Sequence, residues 1–313
     1  FNGANYRQRP ISDVVEEFRL IPEKRVLVVD DNLIGTSRKH IERAKELFRT
    51  MIHANIKKEW VAQASINFAD DEELLGLAAK AGCRGVFIGF ETPSAEGLKE
   101  LGKKYNILKN RDFHASVQRI QRHHILVVGS FIIGLDIDKP GIGKHIASVA
   151  SQYGVDSLNA LFLTPLPGTR LWDQMKSEDR IALNRFPEDW RYYTLTFPVA
   201  VYKQLSLERI IAEMFSCDND FYSIPRILRR MWNNLWQRRE PIISLVGNLS
   251  YRYNLRFNRK LYADFINYVK NRGLRGGRHN VLQIKPENQN QARQSFKKAP
   301  FHNQGKTGKK SAG

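Results

Sequence analysis

The chain has 313 residues, 42% of them apolar and 11% aromatic, which is material for one large domain or two smaller ones and excludes a wholly disordered protein. Its longest nearly uninterrupted apolar run, Ile125 to Leu135, falls well short of the roughly 20 residues of a membrane-spanning helix, and its first residues lack the order of a secretion signal, so the cytoplasm is the expected compartment. Two cysteines, Cys83 and Cys217, exclude a disulfide framework and cannot by themselves ligate an iron–sulfur cluster or a structural zinc ion. The net charge of +18 is unevenly spread: residues 271–313 carry ten Lys or Arg against one acid, Glu287, and hold half of the excess. That stretch is rich in Gly, Asn, Gln and Lys and is expected to be a disordered, solvated basic tail. Nucleic acid is not the expected partner.

From Ile11 onward the pattern alternates between helix and strand. Val14, Val15 and Phe18 have helical spacing. Arg25-Val-Leu-Val-Val-Asp-Asp31 is a short apolar run ending in two carboxylates, residues 38–54 read as a helix, and Trp60 to Ile66 as a second strand. A helix over Asp71 to Ala81 has acids in its first turn, as the helix dipole favours. Strands follow at Gly85–Glu91, Ile125–Gly134 and Ser157–Leu163, separated by helices around Phe113–His123 and 143–153. Apolar strands alternating with helices imply βαβ units around a buried parallel sheet. Chemistry in such folds gathers at the carboxyl ends of the strands. Those ends carry Asp30, Asp31 and Asn32, then Gln63 and Ser65, Glu91 and Thr92, Asp136 and Asp138, and Thr164. The pattern supports an α/β enzyme.

Residues 172–200 read as an irregular aromatic segment, and residues 206–240 as helix broken near Pro225. Ile224, Ile227, Leu228, Met231 and Leu235 form a stripe at helical spacing. The expectation is that this stripe docks onto the domain with the neighbouring arginines in water, the alternative being an interfacial membrane helix.

Val26 to Asn32 resembles the opening of a response-regulator receiver, but the phosphoacceptor and the later Thr and Lys signals are missing. Glu91 is the sharpest single residue: a carboxylate directly after an apolar strand sits where desolvation demands a partner or ligand. Gly85 and Gly89 beside it would permit close approach. His123, His124 and His145 lack ligands at metal spacing and are read as structural.

Six segments in order then carry a family resemblance: Tyr6-Arg-Gln-Arg-Pro10, Val28-Val-Asp-Asp-Asn32, Trp60 with Gln63 and Ser65, Ile88-Gly-Phe-Glu-Thr92, Gly129-Ser-Phe-Ile-Ile-Gly134 and Thr164-Pro-Leu-Pro-Gly-Thr169. Together they resemble a radical S-adenosylmethionine enzyme of the subgroup that carries a cobalamin-binding domain. The resemblance implies a partial (β/α)6, TIM-like barrel over residues 1–170, here without its first strand, then a mostly helical C-terminal extension over 171–270 and the basic tail over 271–313. It implies a 4Fe-4S cluster, S-adenosylmethionine and cobalamin as cofactors, an electron donor such as flavodoxin or ferredoxin, and a small-molecule or lipid-like substrate. The reaction it implies is reductive cleavage of S-adenosylmethionine to a 5′-deoxyadenosyl radical, or cobalamin-dependent methyl transfer. The family's C-x-x-x-C-x-x-C motif falls just before the segment matching Phe1 to Tyr6 and is absent, so the chain is expected not to hold the cluster alone.

By position in the motifs, Glu91 resembles the acid that accepts from the cofactor's ribose hydroxyls. Asp30, Asp31, Asn32, Gln63 and Ser65 border cofactor and substrate, and Gly129 and Ser130 pass near the adenine. The alternative reading is a non-catalytic, barrel-derived protein that uses its basic tail on nucleic acid or an anionic membrane.

Overall fold

A computed structural model describes residues 7–101, 111–236 and 241–271; the motif residue Tyr6 and the tail from 272 lie outside them. Five strands, β1 (Arg25–Leu27), β2 (Glu59–Ala64), β3 (Cys83–Glu91), β4 (Leu126–Ile133) and β5 (Ser157–Phe162), are all parallel and pair in sequential order. Sequential order with a helix in every crossover is the arrangement of a (β/α) barrel sector. The crossovers hold α2 (Arg38–His53), α3 (Glu72–Lys80), α4 (Ala95–Glu100) with α5 (Phe113–Arg122), and α6 (Ile142–Tyr153); α1 (Ile11–Leu20) precedes β1. Helix starts are set by side chains at the Ncap: Asp71 accepts from the Leu74 amide at 2.9 Å and Asp112 from that of Ala115 at 2.9 Å.

The two faces of the sheet differ. Trp60, Ala62 and Ala64 of β2, Val86, Ile88 and Phe90 of β3, and Val127 and Phe131 of β4 are buried beneath the helices. The alternate residues are half-buried or exposed. One face is sealed by the helices and the other, the concave side of a barrel sector, stays accessible, in line with the partial barrel that the motifs imply. Beyond β5, Phe162 donates its amide to the Leu195 carbonyl at 2.8 Å, which caps that edge of the sheet.

Four further helices follow β5: α7 (Arg170–Ser177), α8 (Leu207–Phe221), α9 (Ile224–Trp236) and α10 (Pro241–Asn271), with a 3-10 turn at Trp190–Tyr192. The segment read as irregular therefore begins with a helix, α7, capped by Thr169 through the Trp172 amide at 3.2 Å. The chain breaks between α8 and α9, with Pro225 in the first turn of α9 where its missing N–H costs nothing. Helix α8 lies across α6: the Glu213 carboxylate is buried, accepts from the amides of Gly141 (2.9 Å) and Gly143 (3.0 Å), and pairs with Arg209 at 2.8 Å.

The stripe on α9 does not dock as expected. Ile227 is buried, but Ile224, Leu228 and Leu235 are exposed. Two of the arginines placed in water bind protein instead: Arg230 reaches the Phe221 carbonyl at 3.0 Å and Asn248 at 2.6 Å over the Phe221 ring, and Arg226 reaches Ser151 at 2.9 Å and Asp220. The cause is the polar anchor that α8 and α10 present beneath α9, which fixes the helix about an axis its apolar face alone would not choose.

Candidate functional site

Strand alternation places Gln63 and Ser65 of the β2 end, Phe87, Gly89 and Glu91 of β3, Ser130 of β4 and Asn159 of β5 on the accessible face. Register aligns them across the sheet: Gln63 opposite Phe87, Gly89 opposite Ser130, and Ser130 opposite Asn159. The loop after β1 is stitched to the end of β2, since Leu33 donates its amide to the Gln63 carbonyl at 3.0 Å, Asn32 donates from Nδ2 to Ser65 Oγ at 2.9 Å, and Asn32 Oδ1 accepts from the Gly35 amide at 3.0 Å. Asn32 and Ser65 thus form one unit, whereas Asp30 and Asp31 stand exposed on the loop before it.

Glu91 has the most unusual backbone of the set. Its φ is 68°, in the left-handed region that a non-glycine residue occupies only under constraint, and the ladder to β4 shifts register between Gly89 and Glu91. The turn folds the carboxylate back over Gly89, so that a Cβ on Gly89 would overlap a carboxylate oxygen and stand 3.2 Å from the carboxyl carbon. A side chain at position 89 would therefore displace the Glu91 carboxylate from this place on the face. Gly85 has no such role, its nearest neighbours lying at ordinary contact distances of 3.5 and 3.6 Å from a Cβ.

Gly129 is not brought to this face. It points into the helical layer, where a Cβ would press on Val155, Phe131 and Phe90 at 3.1 to 3.3 Å. Its neighbour Ser130 faces the other way, so alternation separates two residues that the motif joins. Sequence reasoning also missed Asn159, whose signal was a lone amide inside the apolar run of β5.

The remaining strand ends are structural. Thr164 donates to the Phe162 carbonyl at 3.0 Å, and Asp136 makes a two-pronged pair with Arg180, at 2.6 and 3.4 Å. Asp138 is buried and accepts from the amides of Gly134 (2.8 Å) and Leu135 (2.9 Å). Burial pushes its carboxyl up to about 6, against those two amides, with Glu100 and Glu213 adding repulsion. A carboxyl raised on folding binds its proton more tightly in the folded state, so its contribution to stability is greatest below the ordinary aspartate range near 4 and is lost as pH rises toward 6. Asp138→Asn keeps an acceptor for both amides and removes the buried charge. Urea unfolding at pH 7.5 should show it about 1–2 kcal/mol more stable than the parent, with the difference vanishing near pH 4; a variant less stable at both values would refute this account.

Neither cysteine fits an iron–sulfur cluster. Cys83 opens β3 and Cys217 lies in α8; both are buried, and burial raises both thiols, Cys83 to about 12, where a thiolate ligand would need the reverse. Among the described residues no three His, Cys, Asp or Glu side chains converge as metal ligands. The accessible face fits a nucleoside better: one carboxylate able to accept from paired hydroxyls, flanked by the hydroxyls of Ser65 and Ser130 and the amide of Asn159.

Three curated proteins are similar to this chain. An uncharacterized methyltransferase of Synechocystis sp. is 35% identical over 156 residues, 50% of this chain and 29% of that protein. The bacteriochlorophyllide d C-12(1)-methyltransferase of Chlorobaculum tepidum is 28% identical over 235 residues, 73% of this chain and 48% of that one. The hopanoid C-2 methylase of Rhodopseudomonas palustris is 30% identical over 183 residues, 57% and 34% respectively. Among solved structures, the radical S-adenosylmethionine methyltransferase TsrM of Kitasatospora setae, with cobalamin and a [4Fe-4S] cluster bound, aligns with a TM-score of 0.47 at 19% identity, over 55% of this chain and 34% of that one. No protein-family model matches the chain. By name the three relatives are two methyltransferases and a methylase, which agrees with the methyl transfer that the motif resemblance implies. The chain spans less than half the length of each of these three relatives.

Proposed function

We propose that this chain is the S-adenosylmethionine-binding barrel portion of a cobalamin-dependent radical methyltransferase acting on an apolar, lipid-like substrate. The observation that carries the reading is Glu91, held in a left-handed turn so that its carboxylate lies over Gly89 on the accessible face, among Ser65, Ser130 and Asn159. When bound, S-adenosylmethionine supplies the methyl group. The chain's own residues bind and orient it: Glu91 accepts from the two ribose hydroxyls, Ser130 and Asn159 offer polar contacts along the adenosine, and Asn32, locked to Ser65, shapes the wall toward the substrate. The bacteriochlorophyllide and hopanoid substrates named for two relatives support an apolar acceptor. Cobalamin and a flavodoxin- or ferredoxin-like electron donor enter on the motif resemblance alone, and the cluster has no ligands among these residues.

The test separates binding from folding. In equilibrium dialysis with labelled S-adenosylmethionine, Glu91→Gln should bind about tenfold or more weakly, because the charge-assisted bonds to two hydroxyls become neutral ones. Glu91→Gly should lose binding as severely while retaining the parent's melting temperature, since glycine accepts a φ of 68° without strain. Unchanged affinity in both variants would remove Glu91 from the site and with it this reading.

A further inference from the structure

Helix α10 is apolar on opposite sides. Leu255, Tyr262, Phe265 and Val269 are buried against the body of the protein. On the other side Val246, Leu249, Tyr253, Phe257 and Leu261 follow one another at three- and four-residue spacing and are exposed, Tyr253 at 59% and Phe257 at 63%, with their rings in contact at 5.4 Å between centroids. Helix α9, which packs on α10, exposes its own stripe of Ile224, Leu228, Trp232 and Leu235, with Leu228 at 50% and Trp232 at 63%. A helix with apolar residues all round belongs in an interior, so this pair lacks a cover on its outer side.

Charge identifies the cover. Between residues 221 and 263 the sequence has nine Lys or Arg and a single acid, Glu240. Of the basic residues, Arg230 and Arg226 are spent inside the fold, whereas Arg229, Arg259 and Lys260 are exposed on the same two helices as the apolar stripes. Exposed leucines and an isoleucine, a tryptophan and a tyrosine whose rings suit the boundary between water and lipid, and arginines beside them, match an anionic bilayer surface: the apolar side chains enter the headgroup–acyl boundary and the cations meet lipid phosphates. Among the described residues no helix is long and apolar enough to cross a membrane, so the pair would lie in the plane of the surface.

We infer that α9 and α10 form a peripheral docking surface for an anionic lipid bilayer. The inference stands on these two helices and does not depend on the proposed methyl transfer.

The full chain is mixed with phosphatidylcholine vesicles containing roughly 30% phosphatidylglycerol, or none, and sedimented in about 0.1 M and 0.5 M NaCl. The parent should bind the anionic vesicles and retain much of that binding at the higher salt, because inserted apolar side chains are not screened. Trp232→Ser with Phe257→Ser should lower partitioning about tenfold or more while leaving the basic tail untouched. Arg229→Glu with Arg259→Glu should abolish the preference for anionic vesicles without altering the apolar stripes, and circular dichroism of both variants checks that the helices remain. Failure of the parent to bind would overturn the inference. So would serine variants that bind as the parent does, since the tail would then carry the contact. Concentration-dependent dimerisation abolished by the same serine pair would also overturn it, in favour of a second copy as the cover.

Discussion

Gly143→Ala is expected to destabilise the protein by about 3 kcal/mol or more, close to the upper end for an overpacked core. Gly143 sits in the first turn of α6, where α8 crosses. An added Cβ would overlap the Glu213 carbonyl oxygen and stand 2.9 Å from its carbonyl carbon and 3.1 Å from the Cys217 amide nitrogen. These are backbone atoms of a helix and cannot rotate aside, so α6 and α8 must separate. Separation also pulls the Glu213 carboxylate from the amides of Gly141 and Gly143, leaving a buried acid short of donors. Gly141 supplies the comparison two residues away. Its φ is 103°, yet nothing lies within 4 Å of a Cβ there, so Gly141→Ala pays only for the left-handed backbone, about 1–2 kcal/mol. Urea midpoints of the two variants measure the difference. Equal losses would mean that the helix crossing yields easily and that Gly143 matters only as a helix residue.

The strands and main helices were legible because one signal dominates them. Apolar runs of five to ten residues bounded by charge mark β2 to β5, and α2, α3, α5 and α6 show a clear 3.6-residue rhythm. β1 is shorter than its apolar run: pairing continues only as far as the Val28 amide, which donates to Val61 at 2.8 Å, before the chain turns into the loop that Asn32 secures. Helices α4 and α7 were hidden by their length, although Ser94 and Thr169 announce their starts. Helix α10 was hidden by its composition, because apolar residues on both sides blur the periodicity that identifies a docked helix.

The candidate site was legible to the extent that strand ends are. Asn32, Ser65 and Glu91 were singled out by standing at or near those ends and Ser130 by the motif resemblance, and the structure joins Asn32 to Ser65 and aligns Ser130 with Gly89. Position at a strand end does not by itself distinguish a ligand-facing group from a structural one. Asp136, Asp138 and Thr164 satisfy the same rule, yet a distant arginine, two local amides and a carbonyl claim them. The partner of Asp136 lies 44 residues away at Arg180, where no local pattern reveals it. Facing was the other hidden variable: Gly129 and Ser130 are neighbours in the motif and opposites on the strand.

Asp156→Ala is expected to be the most damaging single change at the junction between the sheet and the C-terminal helices, with a loss of about 3–5 kcal/mol. Asp156 directly precedes β5 and is buried. It accepts from the Val127 amide at 2.8 Å, Gln121 Nε2 at 2.9 Å and Asn234 Nδ2 at 3.2 Å, while its backbone carbonyl accepts from Asn248 at 3.0 Å. The carboxylate thus ties β4, α5 and α9 to the start of β5, and the backbone carbonyl adds α10. Burial lowers the Arg230 guanidinium to about 10, and the charge of Asp156 is among the groups that hold it up against that burial. Alanine removes the acceptor from three donors and strips Arg230 of that compensation at once. Asp156→Asn separates these effects: its amide oxygen can still accept from Val127 and Gln121, so the loss should be about half that of alanine. Because the anchored helices include the pair with the exposed apolar stripes, hydrogen exchange in Asp156→Ala should rise in α9 and α10 before it rises in α2 and α3. Uniform exchange throughout, or an asparagine variant as unstable as alanine, would show that Asp156 supports the whole sheet rather than the attachment of these helices to it.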